Sequence, residues 1–163
     1  MKTQCHNPYL PLWEHIPDGE PHVFEDRLYV FGSHDLENGN EFCEQDYVSW
    51  SAPLDDLSDW RYEGVIYRKD QDPYNVNVLP LYAPDVVQGR DGRYYLYYCI
   101  KFQDSINVAV CDTPAGQYEF YGRVQYKDGQ AMMENQTYDP SVICTEEGNF
   151  LYFGFAPCMI NIP

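Results

Sequence analysis

Asp85-Val86-Val87-Gln88-Gly89-Arg90-Asp91-Gly92-Arg93-Tyr94-Tyr95-Leu96-Tyr97-Tyr98-Cys99-Ile100 holds the pattern that decides the fold. A short apolar run, an Arg-Asp-Gly turn and an alternating aromatic run read as two antiparallel strands in a hairpin. β-branched and aromatic side chains suit a pleated sheet, and Asp-Gly accepts the backbone geometry of a tight turn. The same pattern recurs on either side, at 18–30 and 139–152. Each copy starts at an aspartate (Asp18, Asp85, Asp139) and continues through His22-Val23-Phe24, Val86-Val87 or Val142-Ile143. It then turns at Glu25-Asp26-Arg27, Arg90-Asp91-Gly92 or Glu146-Glu147-Gly148 and enters an aromatic strand.

The second half of the unit repeats as well. Residues 46–54 and 60–64 match 106–114 and 118–122: a strand, a turn containing Pro53 or Pro114, and an aromatic strand that ends at Gly64 or Gly122. The clearest strands are expected at 28–32, 47–51, 94–100, 106–111 and 150–155, and helical periodicity is almost absent. A four-stranded unit of about 55–65 residues is the size of a propeller blade. The chain is therefore expected to be all-β, an incomplete β-propeller of about two and a half four-stranded blades. These fall near 18–67, near 83–126 and from 137 onward, joined by the polar stretches 68–80 and 126–136. Propellers need at least four blades to close, so the 163 residues are expected to be the front part of a longer protein.

Composition narrows the function. Ten Lys plus Arg against 26 Asp plus Glu give a formal net charge of −16, which repels phosphate backbones and anionic lipid surfaces. Neither nucleic acid nor membrane is an expected partner. With 44% hydrophobic and 22% charged residues, the chain has enough apolar material for a core. Residues 1–8 lack the apolar core of a secretory signal, and a cytoplasmic location is expected. Cys5, Cys43, Cys99, Cys111, Cys144 and Cys158 form no C-x-x-C pair and read as reduced, mostly buried thiols rather than metal ligands.

Asp18, Asp85 and Asp139 each precede what should be the innermost strand of a blade. An aspartate there can simply make a turn. Three in register, related by rotation about one axis, would instead converge on one end of a channel. A funnel lined by carboxylates and aromatic rings, in an acidic chain with no nucleotide loop and no nucleophile elbow, suits carbohydrate. Carboxylates supply acid, base and hydroxyl-binding groups for glycoside hydrolysis, and rings stack on sugars. His34, in Gly32-Ser33-His34-Asp35, either lines this funnel or is a satisfied polar turn residue. Tyr94 to Tyr98 alternates faces, so half of it is expected in the core between blades.

Six segments in order carry a family resemblance. They are Asn7-Pro8-Tyr9-Leu10-Pro11; Pro17-Asp18-Gly19-Glu20-Pro21-His22-Val23-Phe24; Tyr29-Val30-Phe31-Gly32-Ser33-His34-Asp35; Tyr82-Ala83-Pro84-Asp85-Val86; residues 108–116; and Tyr138-Asp139-Pro140-Ser141-Val142. Together they resemble the motifs of glycoside hydrolase family 43, five-bladed propellers that act as β-xylosidases, α-L-arabinofuranosidases and arabinanases. The resemblance implies an inverting O-glycosyl hydrolase acting on arabinose- or xylose-containing fragments of plant polysaccharide, such as xylan, with a small carbohydrate as its ligand. It puts Asp18 at the catalytic base and Asp139 at the aspartate that orients the general acid and modulates its pKa. Asp85, Tyr82 and His34 become substrate-binding candidates. Tyr82 stands where the family usually has Trp, and Gly19-Glu20 follows Asp18 where Pro is commoner. None of the eleven glutamates matches the motif of the family's general acid, which is expected beyond residue 163. Some members hold an axial calcium ion. No cofactor and no metal ligand is assigned to this chain, although His34 could help bind an axial cation. A propeller that binds carbohydrate or another partner without turnover is the alternative.

Overall fold

A computed structural model describes residues 7–133 and 137–154. The first sheet has four antiparallel strands in the order β1 (Glu20–Phe24), β2 (Arg27–Phe31), β3 (Tyr47–Pro53), β4 (Arg61–Tyr67). The second repeats the meander with β5 (Leu81–Gln88), β6 (Tyr94–Ile100), β7 (Ile106–Cys111), β8 (Glu119–Arg123). A hairpin follows, β9 (Ser141–Cys144) with β10 (Asn149–Tyr152). The chain is all-β, two blades of a propeller and the first hairpin of a third. Among the described residues β10 pairs only with β9. The end expected for the last strand, Phe155, lies outside the described residues, as do Cys5 and Cys158.

Local chemistry explains the hairpins. The β5–β6 turn places Gly92 at φ 84 and the β9–β10 turn places Gly148 at φ 155, where a side chain would be strained. The equivalent β1–β2 turn uses Glu25 at φ 55. Along β6 the alternation is read out directly. Tyr94, Leu96 and Tyr98 are buried in the interface between the two blades, with Tyr29, Phe31, Tyr47, Ile66 and Tyr67 opposite. Tyr97 takes the other face and packs on Cys99, Ile106 and Met132, together with Tyr138 and Leu151. Each large side chain so buried contributes about 1.5–3 kcal/mol.

The most deeply buried phenols of this core are hydrogen-bonded. Tyr67 and Tyr98 share a hydroxyl hydrogen bond of 2.8 Å, and Tyr98 donates onward to the buried carboxylate of Asp72, which also accepts Asn107 Nδ2 at 2.7 Å. Burial pushes the Tyr98 phenol far above its ordinary range. Cys43, Cys99, Cys111 and Cys144 are free thiols, the first two buried.

Candidate active site

Strand register defines one end of the molecule. Glu20 pairs with Phe31, Leu81 with Ile100 and Ser141 with Tyr152, so the starts of β1, β5 and β9 lie beside the ends of β2, β6 and β10. At this end the residues leading into or opening the innermost strands adopt the left-handed region: Asp18 at φ 53, Ala83 at φ 40 and Asp139 at φ 50. Non-glycine residues rarely do so, and such strain concentrates where a side chain must be aimed. All three line one cleft of about 290 Å³, with Glu20, Pro140 and Ser141.

Several contacts fix this arrangement. Gly32 lets the Asp18 segment approach β2: a Cβ on Gly32 would lie 2.4 Å from Ile16 Cγ2 and 2.9 Å from the Pro17 carbonyl. Upstream, the buried Glu14 carboxylate accepts Trp50 Nε1 at 2.7 Å and meets His34 Nε2 at 2.8 Å, which ties the chain before Asp18 to the first blade. On the other side, the Tyr138 carbonyl accepts the Gly154 amide at 2.9 Å, and the Cys99 thiol lies 3.5 Å from the Thr137 carbonyl. Burial, and then the charge of Asp18, hold the Asp139 carboxyl above its ordinary pKa.

Asp85 is not the third carboxylate of this cleft. It is 1% exposed, its Oδ1 meets His22 Nε2 at 2.6 Å, and its Oδ2 accepts the Val142 amide at 2.6 Å. It therefore links the innermost strands of all three sheets. The reason is a shift of two residues: β5 carries a register irregularity between Tyr82 and Asp85, and Ala83 takes the place equivalent to Asp18 and Asp139. Setting Ala83-Pro84-Asp85-Val86 over Asp139-Pro140-Ser141-Val142 would have revealed it.

His34 does not face the funnel either. It is buried, with Nδ1 at 2.7 Å from the Asp46 carbonyl and Nε2 on Glu14, so both ring nitrogens are engaged. That is the satisfied-residue alternative, and it leaves no free nitrogen for a sugar or an axial cation. Among the described residues no group of three His, Cys, Asp or Glu side chains is placed to hold a metal ion. Tyr82 packs its half-buried ring against the second interface and accepts the Tyr47 hydroxyl on its carbonyl at 3.0 Å; it does not line the cleft. Glu20, Ala83 and Ser141 were missed as cleft residues, and Glu14 as the anchor.

Meandering propeller blades with Asp18 from the first and Asp139 from the third meeting in one cleft define a class of carbohydrate-active scaffold. Residues 22–157 match the model of glycosyl hydrolases family 43, and the chain belongs to that family. It is 57% identical over 162 residues to a xylosidase/arabinosidase of Thermoclostridium stercorarium, covering 96% of this chain and 34% of that protein. A xylosidase/arabinosidase of Bacteroides ovatus is 32% identical, covering 94% and 47%. Among solved structures, the GH43_1 enzyme from Xanthomonas citri complexed with xylose superposes with a TM-score of 0.69 at 28% identity, over 90% of this chain and 41% of that one. The RS223 β-xylosidase gives 0.67 at 27%, over 86% and 44%. The chain thus spans between a third and a half of the length of these relatives.

Proposed function

We propose that this chain supplies the base-bearing and orienting blades of an inverting glycosidase that hydrolyses O-glycosyl bonds in arabinose- or xylose-containing fragments of plant polysaccharide. The observation that carries the proposal is the convergence of Asp18 and Asp139 on one cleft from blades one and three. Inversion needs a carboxylate that deprotonates water on one face of the sugar and an acid that protonates the leaving oxygen on the other. Asp18, exposed at the cleft mouth, takes the first role. Asp139, desolvated and repelled by Asp18, orients the acid and keeps its proton available through the field of its own charge. Relatives named xylosidase/arabinosidase support the pentose class.

No glutamate of this chain matches the motif of the acid, so the 163-residue chain is expected to leave xylobiose and arabino-oligosaccharides intact. General-acid help is worth about 10² to 10⁴-fold. Nitrophenyl glycosides, whose leaving group needs no proton, should show any residual turnover first, and Asp18→Asn should abolish it. Oligosaccharide hydrolysis that disappears in Asp18→Asn would show that a complete site is present and that the missing acid is wrong. A chain that binds xylose yet turns over no glycoside, even within a full-length relative's framework, would favour the binding module.

A further inference from the structure

Two of the most exposed large side chains, Phe42 at 76% and Phe102 at 80%, lie at the same end as the cleft. Phe42 sits in the loop between β2 and β3, and Phe102 in the equivalent loop between β6 and β7; strand register puts both loops beside the starts of β1 and β5. The loops are joined. Lys101 forms an ion pair with Glu41, and its ammonium lies 5.0 Å from the centre of the Phe102 ring.

Neither loop is loose. Asp35 Oδ1 accepts the Cys43 amide at 2.7 Å, Glu44 Oε1 accepts the Glu41 amide at 2.7 Å, and Gln45 Nε2 donates to the Asp35 carbonyl at 2.7 Å. Gln103 N donates to the Ile100 carbonyl at 3.0 Å, closing the turn that carries Phe102. Asn38, Cys43 and Phe102 hold φ of 58, 60 and 63. A bulky aromatic at positive φ is an outlier, and here it projects an apolar ring into solvent, which packing does not require. Beside Phe42, the first loop forms a pocket of about 330 Å³ with Asp35, Leu36, Asn38 and Asn40 in its wall. Amides and carboxylates next to an exposed ring are the mixture that pairs with hydroxyls while a C–H face stacks.

We infer that Phe42 and Phe102 form a rim that binds a neutral polysaccharide chain outside the cleft, stacking sugar rings while the Asp35–Asn40 loop takes their hydroxyls. This deepens the proposed function and rests on it: the rim continues the cleft's own end and holds the polymer from which a terminal sugar enters. The acidic loop, with Asp35 and Glu41 lining the pocket beside Phe42, and the net charge of −16 select against uronate-rich polymers.

The test is native affinity electrophoresis of the 163-residue chain in gels containing soluble neutral arabinoxylan or polygalacturonate, paired with xylose titrations followed by NMR at Asp18 and Asp139. Arabinoxylan should retard the chain and polygalacturonate should not. Phe42→Ala and Phe102→Ala should each weaken retention about five-fold and together about 25-fold. Val23→Ala, exposed at the opposite end, should migrate as the parent does. Retention unchanged in the double variant, with xylose shifts intact, overturns the rim and leaves the cleft assignment standing. Loss of both retention and xylose shifts in the parent chain overturns the rim and the proposed function together. A parent chain that runs as a dimer, and as a monomer once both rings are removed, also overturns the rim, because the rings then serve a second copy.

Discussion

Replacing Asp85 with alanine tests whether this residue is an inter-blade clip or a sugar ligand. Its carboxylate is 1% exposed and makes two charge-assisted contacts at 2.6 Å, one to His22 on β1 and one to the Val142 amide on β9. Hydrogen bonds to a charged group contribute about 1.5–3 kcal/mol each, and removing one member of a buried pair costs about 3–5 kcal/mol. The His22 side chain is 26% exposed, so water can recover part of its share, and the expected cost is about 3 kcal/mol. That is a large fraction of the 5–15 kcal/mol typical of a domain. Asp85→Asn keeps an acceptor for Val142 and a polar group beside His22 Nε2, and should cost only about 1 kcal/mol. Urea unfolding gives the energies. Amide exchange locates the effect, which should be concentrated in β9 and β10, whose Val142 amide loses its partner. Asp85→Ala within 1 kcal/mol of the parent chain, or unchanged exchange at 141–152, would refute the clip.

Other substitutions probe the cleft and its supports. Asp139 has a raised pKa, so the fold is most favoured below the unfolded carboxyl's value near 3.9, and that contribution is lost as pH rises through the higher folded value. Asp139→Asn should therefore melt at a higher temperature than the parent chain at pH 7 and lose that advantage near pH 3.5, compared by calorimetry. Gly32→Ala drives a Cβ to 2.4 Å from Ile16 and 2.9 Å from a backbone oxygen, and should cost about 1–3 kcal/mol in urea while displacing Asp18 enough to weaken xylose-induced shifts there. His34→Ala removes one partner of the buried Glu14 carboxylate, leaving Trp50 Nε1, and should cost about 1.5–3 kcal/mol, read from the same unfolding curves; a neutral result would mean that His34 is not a structural partner of Glu14.

The blades were legible in the sequence because they are built from local signals. Alternation along Tyr94–Ile100 and a turn residue at Gly92 or Gly148 are decided within a few positions. The funnel was only partly legible because its geometry depends on backbone torsions and distant partners. Asp85 looks equivalent to Asp18 by its place before Val86-Val87, yet the irregularity at Ala83-Pro84 moves it two residues along and into the interface. His34 found its partner 20 residues upstream in Glu14, a pairing that no motif announces. Asp18 and Asp139 came together because the repeat was in register at those two copies.

The most direct measurement replaces the matching third of the Thermoclostridium stercorarium xylosidase/arabinosidase with residues of this chain and follows hydrolysis of nitrophenyl β-xyloside and α-L-arabinofuranoside. At 57% identity the grafted blades should seat against that protein's remaining ones. The expected result is an active, inverting chimera whose Asp18→Asn variant folds equally well and loses about 10² to 10⁴-fold in kcat. A folded, active chimera whose rate is unchanged by Asp18→Asn would contradict the assignment of Asp18 as the residue that activates water.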